Sequence, residues 1–241
     1  PGLLANYHFN QGFPGANNSG VTNLDDAGGN LNFGTLYNFT LNGSISNWIS
    51  PGGVISGTTC TGGIFNITAV PEGFYNSGNN TGNKRDTLRA FLHSTVSPYN
   101  VLDSAKTVMD SLTFTGTFTF ANSGNGTYYI RLKHRNSIET WSKTGGEYLT
   151  NDGNIYSYDF TTSNSQAYGN NLKLKGSKYC IYSGDVNQDG LINSSDILDM
   201  ENSLQLMTLG YYPYDLTGDN LVEAADFSLI ENNVGKSKLK P

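Results

Sequence analysis

Two copies of one twelve-residue pattern, DVNQDGLINSSD from Asp185 to Asp196 and DLTGDNLVEAAD from Asp215 to Asp226, lie near the end of the chain. In each copy, oxygen-bearing side chains occupy positions 1, 3, 5, 9 and 12, and a leucine at position 7 offers its backbone carbonyl. This alternation lets a chain surround one hard cation with six or seven oxygen atoms. Position 6 must turn sharply, and Gly190 and Asn220 are residue types that tolerate a left-handed backbone. The pattern therefore predicts two calcium loops.

The charge of this segment supports the interpretation. Ten acidic side chains and no lysine or arginine lie between residues 185 and 235. Like charges about 4 Å apart repel by roughly 1 kcal/mol in water. A segment this acidic, with apolar residues at helical spacing, needs a counter-cation to stay compact. A disordered acidic tail is the alternative, but a matched pair of loops at short spacing rarely arises by chance.

A helical face is predicted directly after each loop. The apolar residues that mark the two faces are Ile197, Met200, Leu204 and Met207, then Phe227, Ile230 and Val234. Paired loop–helix units with aspartate at position 12 resemble dockerins, the calcium-stabilised modules that dock into cohesins. The resemblance covers about residues 183–235.

The resemblance implies a ligand set of two calcium ions. The implied ligands are Asp185, Asn187, Asp189, Leu191, Asn193 and Asp196 for one ion, and Asp215, Thr217, Asp219, Leu221, Glu223 and Asp226 for the other. Thr217 replaces the usual Asn or Asp, so the second site is expected to be weaker. The family's partner-reading pair corresponds to Ser194 and Ser195 in the first repeat and to Ala224 and Ala225 in the second. Glu201 and Asn202 stand where basic residues usually follow on the helix.

The composition of the whole chain favours a mainly β extracellular protein. Its 241 residues carry a net charge of −6, only 14% of them are charged, and 15 Tyr and 12 Phe recur in alternating runs. Such a composition suits β-sandwiches with many turns. No stretch of 18 apolar residues is long enough to span a membrane. The acidic balance argues against a nucleic-acid partner. We expect the protein to be secreted or at a cell surface.

The middle of the chain predicts a β-sandwich. Residues 112–120 alternate apolar residues with Thr, and a Gly-rich turn separates them from the run Tyr128–His134. This strand pair resembles that of transthyretin-like and collagen-adhesin B-type repeats, which implies a seven-stranded sandwich used as a stalk or spacer. The wider layout resembles C-terminal modules of secreted Bacteroidota and Ignavibacteria proteins. We assign residues 60–180 to the sandwich and 181–241 to a small α-helical calcium module.

The first 59 residues predict a small, incomplete β-unit. Short strands are expected at Leu3–Phe9 and Gly34–Leu41, separated by Gly- and Asn-rich turns. These runs resemble the opening strands of laminin-G/concanavalin-like domains. Most of such a domain is missing, which leaves either an independent unit or edge strands completed by another chain.

Cys60 and Cys180 bracket the predicted sandwich. A disulfide between them would close a loop of about 120 residues and stabilise the fold by about 4–5 kcal/mol in the chain-entropy model. The alternative is two free, buried thiols. We expect the disulfide in an extracellular protein, subject to geometry.

The sequence carries no recognisable catalytic constellation. His8, His93 and His134 show no metal-ligand spacing, and no nucleophile elbow or phosphate loop is present.

Other residues are candidates for binding or modification. Arg131, Lys133 and Arg135 share one strand face, which is either a site for an acidic partner or a solvated face. Trp48, Trp141 and the tyrosines could stack on sugar rings or fill the core. Short Asp-Ser/Thr motifs make Thr87, Ser104 and Ser111 candidate O-glycosylation sites.

These observations predict a non-catalytic, secreted structural protein. We expect a subunit of an extracellular fibre or surface assembly that self-associates through its β-edges or binds another surface protein. The alternative is a binding module, either a dockerin-like plug for a cohesin-type receptor or a carbohydrate and adhesion module.

Overall fold

Strands dominate the part of the chain that the structure describes. The computed structural model describes residues 7, 17–26, 31–37, 40–41, 63–150, 154–204 and 212–241. In chain order the strands are β1 (Asn23–Leu24), β2 (Gly34–Thr35), β3 (Gly63–Thr68), β4 (Tyr75–Asn76), β5 (Thr81–Gly82), β6 (Thr87–Ser94), β7 (Val101–Val108), β8 (Thr115–Phe120), β9 (Gly126–His134), β10 (Ser137–Trp141), β11 (Glu147–Leu149), β12 (Ile155–Asp159), β13 (Lys173–Lys175) and β14 (Lys178–Cys180). The helices α1 (Ser194–Leu204) and α2 (Ala224–Asn233) follow near the C-terminus. The predicted fold class, mainly β with a small helical C-terminal module, is confirmed.

The chain divides into two compact units, Pro1–Thr59 and Cys60–Pro241. In the first unit, β1 pairs with β2 in antiparallel fashion, and Leu24 is buried. Of the predicted strand Leu3–Phe9, the residues other than Tyr7 lie outside the described part of the chain, and Tyr7 forms a bridge with Asp26. Among the described residues of the second predicted strand, Gly34–Leu41, only Gly34 and Thr35 form strand pairs.

A two-sheet sandwich forms the larger part of the second unit. One sheet has the order β10-β9-β6-β7, with β11 also paired to β9, and the other has the order β12-β3-β8. Strands β12 and β3 run parallel, whereas the other pairs within these sheets are antiparallel. Their inner faces share one core that includes Phe65, Ile67, Leu92, Phe118 and Ile130. The alternation in the sequence explains this arrangement, because every second residue of β3 and β8 is buried.

Strand β8 begins later than its sequence pattern predicts. The Asp110 carboxylate accepts hydrogen bonds from the backbone N–H groups of Leu112 and Thr113, at 2.9 and 2.8 Å, which folds this stretch into a turn. Phe114 follows with a φ of +58° and packs into a separate small cluster beside Tyr75. Local side-chain bonding to the backbone therefore overrides the alternating pattern before Thr115.

The calcium-loop module has its own core around the two helices. Its buried residues include Val186, Ile192, Met200, Leu216 and Ile230. Met200 and Ile230 thus occupy the predicted helical faces, whereas Met207 lies outside the described residues. Val234 was expected on the second face, but α2 ends at Asn233 and Val234 is exposed.

The sandwich and the calcium-loop module pack directly against each other within the second unit. Ile138 of β10 is buried in the module's core. Asn233 at the end of α2 donates from Nδ2 to Glu72 Oε2 at 2.6 Å and to the Ser183 carbonyl at 2.8 Å. At Gly73 any Cβ atom would lie 1.9 Å from the Leu216 carbonyl oxygen, so only glycine permits this approach. In the described part of the chain, no helix is long and apolar enough to cross a membrane.

Candidate metal centre

Asp185, at position 1 of the first loop, carries a buried carboxylate oxygen without a partner. Its residue is 2% exposed, and its Oδ2 accepts a hydrogen bond from Gly190 N at 3.1 Å. Its Oδ1 is buried and makes no hydrogen bond. Burial, with the nearby charges of Asp196 and Asp189, raises the pKa of Asp185 to about 6. An unsatisfied carboxylate oxygen in this environment fits a cation ligand. A bound cation would give this oxygen a partner and would neutralise the buried negative charge.

Position 12 ties the start of each loop to the helix that follows. Asp196 Oδ1 accepts from the N–H groups of Val186 and Asn187, at 2.9 and 3.3 Å, and its Oδ2 accepts from Asn193 N at 3.0 Å. Asp226 repeats these three bonds on the equivalent residues of the second loop, at 2.8, 2.8 and 2.9 Å. Both residues are fully buried, and burial raises the pKa of Asp226. The sequence repeat is therefore also a structural repeat.

Position 6 adopts the backbone that the sequence predicts. Gly190 has a φ of +91° and Asn220 a φ of +73°. The oxygens of position 5 are held in short turns, since Asp189 Oδ1 accepts from Leu191 N at 2.8 Å and Asp219 Oδ1 from Leu221 N at 2.9 Å. Asn187 and Asn193 accept similar bonds two residues along, and the position 7 leucines are exposed, as a carbonyl-donating position allows.

The second loop differs from the first because it forms ion pairs with the sandwich. Asp215 Oδ2 lies 3.4 Å from Lys84 Nζ and 3.7 Å from Arg135 Nη2. Lys84 Nζ also donates to Asn220 Oδ1 at 2.6 Å. Within the described residues, no ion pair reaches Asp185 in this way. Thr217 Oγ1 is buried beside the Asp226 carboxylate, without a hydrogen bond of normal geometry.

The donor set of both loops suits a hard cation. It combines carboxylate, amide, hydroxyl and carbonyl oxygens, which calcium prefers. In the described part of the chain, no three Asp, Glu, His or Cys side chains form a cluster that could hold a metal by themselves. The loops therefore depend on amide and carbonyl oxygens as well as on carboxylates. The residues fit calcium, most directly in the first loop, where an ion would neutralise Asp185 and join the loop's two ends.

Lys84 and Arg135 are the contacts that sequence reasoning missed. Arg135 stands in a visible basic run, but nothing in the sequence pairs it with Asp215, 80 residues later. No sequence pattern around Lys84 indicates a contact with the second loop. Only the packing of the sandwich against the module brings these side chains to the second loop.

The remaining candidate sites stay predictions. Cys180 is buried, and this burial raises the pKa of its thiol to about 12. Cys60 lies outside the described residues, so the proposed disulfide is untested. At the candidate glycosylation sites, Ser104 is exposed and Thr87 and Ser111 are partly exposed. The aspartates before Thr87 and Ser104 are buried; Asp86 pairs with Arg135 and Asp103 accepts from Asn122 N.

Comparison with known proteins identifies the C-terminal module. Residues 183–235 match the dockerin type I domain. A search of curated proteins gave no match. Two solved chains from type II cohesin–X-dockerin complexes of Acetivibrio cellulolyticus are similar to this chain. The one from a C-terminal interface mutant has 18% identity and a TM-score of 0.43, and the alignment covers 73% of this chain and 97% of that one. The one from an N-terminal interface mutant has 17% identity and a TM-score of 0.38, with coverage of 73% and 94%.

Proposed function

We propose that residues 183–235 dock into a cohesin-type receptor on another protein and that calcium holds the docking surface in shape. The match to the dockerin type I domain carries this proposal. The repeated hydrogen bonds of Asp196 and Asp226 support it, because both loops close in the way a paired loop–helix module requires. Docking of this kind makes the chain a binding component of a larger assembly.

The docking surface is proposed to lie at the starts of the two helices. Ser194, Ser195, Ala224 and Ala225 are all exposed. Leu198 follows Ser194 by one helical turn and is 55% exposed, so the two residues share a face of α1. An exposed leucine flanked by small residues is suited to a close, partly apolar contact with a partner.

We propose two calcium ions, one in each loop, and an extracellular location in which calcium is abundant. The sandwich would act as a rigid support, because Ile138 and Asn233 join it to the module. The dockerin type is a non-catalytic binding module, and we propose no catalytic role for the rest of the chain.

Self-association as a structural subunit is the second candidate. Strand β7 ends its sheet and exposes Val101, Leu102 and Val108, which leaves an edge open to pairing with another chain. In the N-terminal β-unit, whose edge strands could be completed by another chain, the first predicted strand lies mostly outside the described residues. Fibre formation, adhesion, the disulfide and glycosylation stay predictions.

A binding panel with matched variants tests the docking surface. Purified full chain is mixed with type I and type II cohesin domains in calcium, and complexes are detected by native gel and calorimetry. Leu198→Asp should weaken the complex by at least about tenfold, as expected for a central apolar contact. Leu112→Asp is the control, since Leu112 is an exposed leucine in a turn of the sandwich. An equal loss of affinity in both variants, or no loss in either, would contradict the proposed docking surface.

A further inference from the structure

Three basic side chains form a row across three adjacent strands of the larger sheet. Arg89 of β6 stands directly opposite Lys106 of β7 on one side and Lys133 of β9 on the other. The inward residues Leu88 and Ala90 are buried in the core, so the row lies on the outer face. We call this row, together with Arg131 of β9, the basic face.

The row has an energetic cost in the isolated protein. Neighbouring strands lie about 4.8 Å apart, and like charges directly opposite each other destabilise a sheet. Nearby carboxylates offset this cost only in part. Glu139 pairs with Arg131 at 3.2 Å and with Lys133 at 4.0 Å, but within the described residues neither Arg89 nor Lys106 makes an ion pair. Among the described residues, the ion pairs of this face involve Glu139 alone, in a chain whose net charge is −6.

Protection against edge pairing does not explain the row. Lysine on an edge strand is a common guard, and Lys106 lies on β7, which is an edge. Arg89, however, lies on β6, between β7 and β9, where no edge is exposed. Protection of an edge therefore does not account for the cation at this central position.

The surroundings of the row form a shallow site. Arg89, Lys106 and Lys133 line an open cleft of about 500 Å³ together with Thr87 and Gln188. Beside it, the Arg131 guanidinium lies 4.1 Å from the centre of the Phe91 ring, which holds its charge over the sheet. Trp141 is 4% exposed and its indole N–H donates to Glu139, so an aromatic platform for neutral sugars is not offered by this residue. The recognition that remains is ionic.

We propose that the basic face binds an anionic polysaccharide that carries carboxylate or sulfate groups at regular intervals. A row of cations at the strand spacing is complementary to a polymer of evenly spaced anions laid across the strands. Arginine favours such oxyanions because its planar donors bind two oxygens at once. The cleft reaches the first loop through Gln188 but includes no residue from the start of either helix, so this proposal does not rest on receptor docking.

Affinity electrophoresis and calorimetry of the full chain in calcium test the proposal. The probes are short polygalacturonate fragments, dextran sulfate, neutral dextran and polyglutamate. Binding to at least one anionic polysaccharide, weakening as salt rises, and no binding to neutral dextran are expected. The double variant Arg89→Gln/Lys106→Gln should reduce the affinity about tenfold, because two exposed ionic contacts are lost.

The double variant Lys143→Gln/Lys178→Gln is the matched control, since it removes the same charge from positions outside the basic face. Its affinity for the polysaccharide should stay within about twofold of the parent's. This comparison distinguishes binding at the basic face from an effect of net charge. Circular dichroism confirms that both variants are folded. No binding to either anionic polysaccharide, an equal loss in both double variants, or tighter binding of polyglutamate would overturn the proposal. The last result would assign the face to an acidic protein segment instead.

Discussion

Lys84 Nζ of the sandwich lies 3.4 Å from Asp215 Oδ2, at position 1 of the second loop. The equivalent oxygen pair of the first loop, on Asp185, includes an atom with no hydrogen bond. The two loops therefore share a sequence pattern and a backbone fold but differ in their electrostatic surroundings. Side chains of the sandwich form ion pairs with Asp215, and within the described residues no ion pair reaches Asp185.

Replacing Lys84 by Gln should tighten calcium binding at the second loop. Two positive charges about 4 Å apart repel by about 1 kcal/mol in water, so removing the ammonium should lower the dissociation constant about fivefold. Calorimetric titration with calcium measures this dissociation constant. Lys143→Gln, which removes an exposed charge elsewhere, should leave both sites unchanged. An unaltered or weaker second site in Lys84→Gln would contradict this view of the loop.

Replacing Asp185 by Asn should remove the tighter calcium site. Asparagine keeps the shape of the side chain but not the charge that its buried Oδ1 offers. In calcium, the melting temperature should fall well below that of the parent. In chelator the difference should shrink or reverse, because the variant no longer buries a lone carboxylate. Thr217→Val is the comparison. Its melting temperature in calcium should fall less than that of Asp185→Asn, since the substitution removes a neutral ligand. A larger loss from Thr217→Val would be the contrary result.

Calcium affinity at the first loop should fall as the pH drops through about 6. Burial raises the pKa of Asp185 to about 6, so protons compete with the ion below that value. From pH 7 to pH 5 the affinity should weaken about tenfold through this group alone. Titrations at both pH values measure the change. Asp185→Asn should lose this part of the dependence, and an equally steep profile in that variant would assign the effect to other carboxyl groups.

Chelation should destabilise the sandwich as well as the calcium module. Ile138 of β10 is buried in the module's core, and Asn233 binds both Glu72 and Ser183. If calcium is present at a hundred times its dissociation constant, one site contributes about 2.7 kcal/mol. Thermal unfolding followed by far-ultraviolet circular dichroism should show one shared transition for residues 60–241 that moves down in chelator. A sandwich transition that stays in place would show that the two parts unfold independently.

The repeated loops could be predicted from the sequence because their geometry is local. Each position 12 aspartate bonds to residues nine and ten positions before it, and the turn at Gly190 needs a residue without a Cβ clash. The central strands were predictable for a similar reason, since period-two alternation reports burial directly. Strand β8 was predicted too long because the Asp110 side chain bonds to the next backbone N–H groups.

Contacts between the two parts of the second unit could not be predicted in the same way. Lys84 meets Asp215 across 131 residues, and Ile138 enters a core formed by residues 186–230. Neither residue differs in type from many others on a sandwich surface. Their roles follow from packing between modules, which one sequence does not encode as a local pattern.

Calcium-dependent binding of the full chain to cohesin domains is the most direct test of the proposed function. Calorimetry with a panel of type I and type II cohesins should find at least one complex with a dissociation constant of about 1 µM or tighter, which corresponds to about −8 kcal/mol. The complex should be lost in excess chelator and restored when calcium returns. If the calcium-loaded, folded protein binds no member of the panel, or binds one equally well in chelator, residues 183–235 do not act as a calcium-held cohesin-docking module.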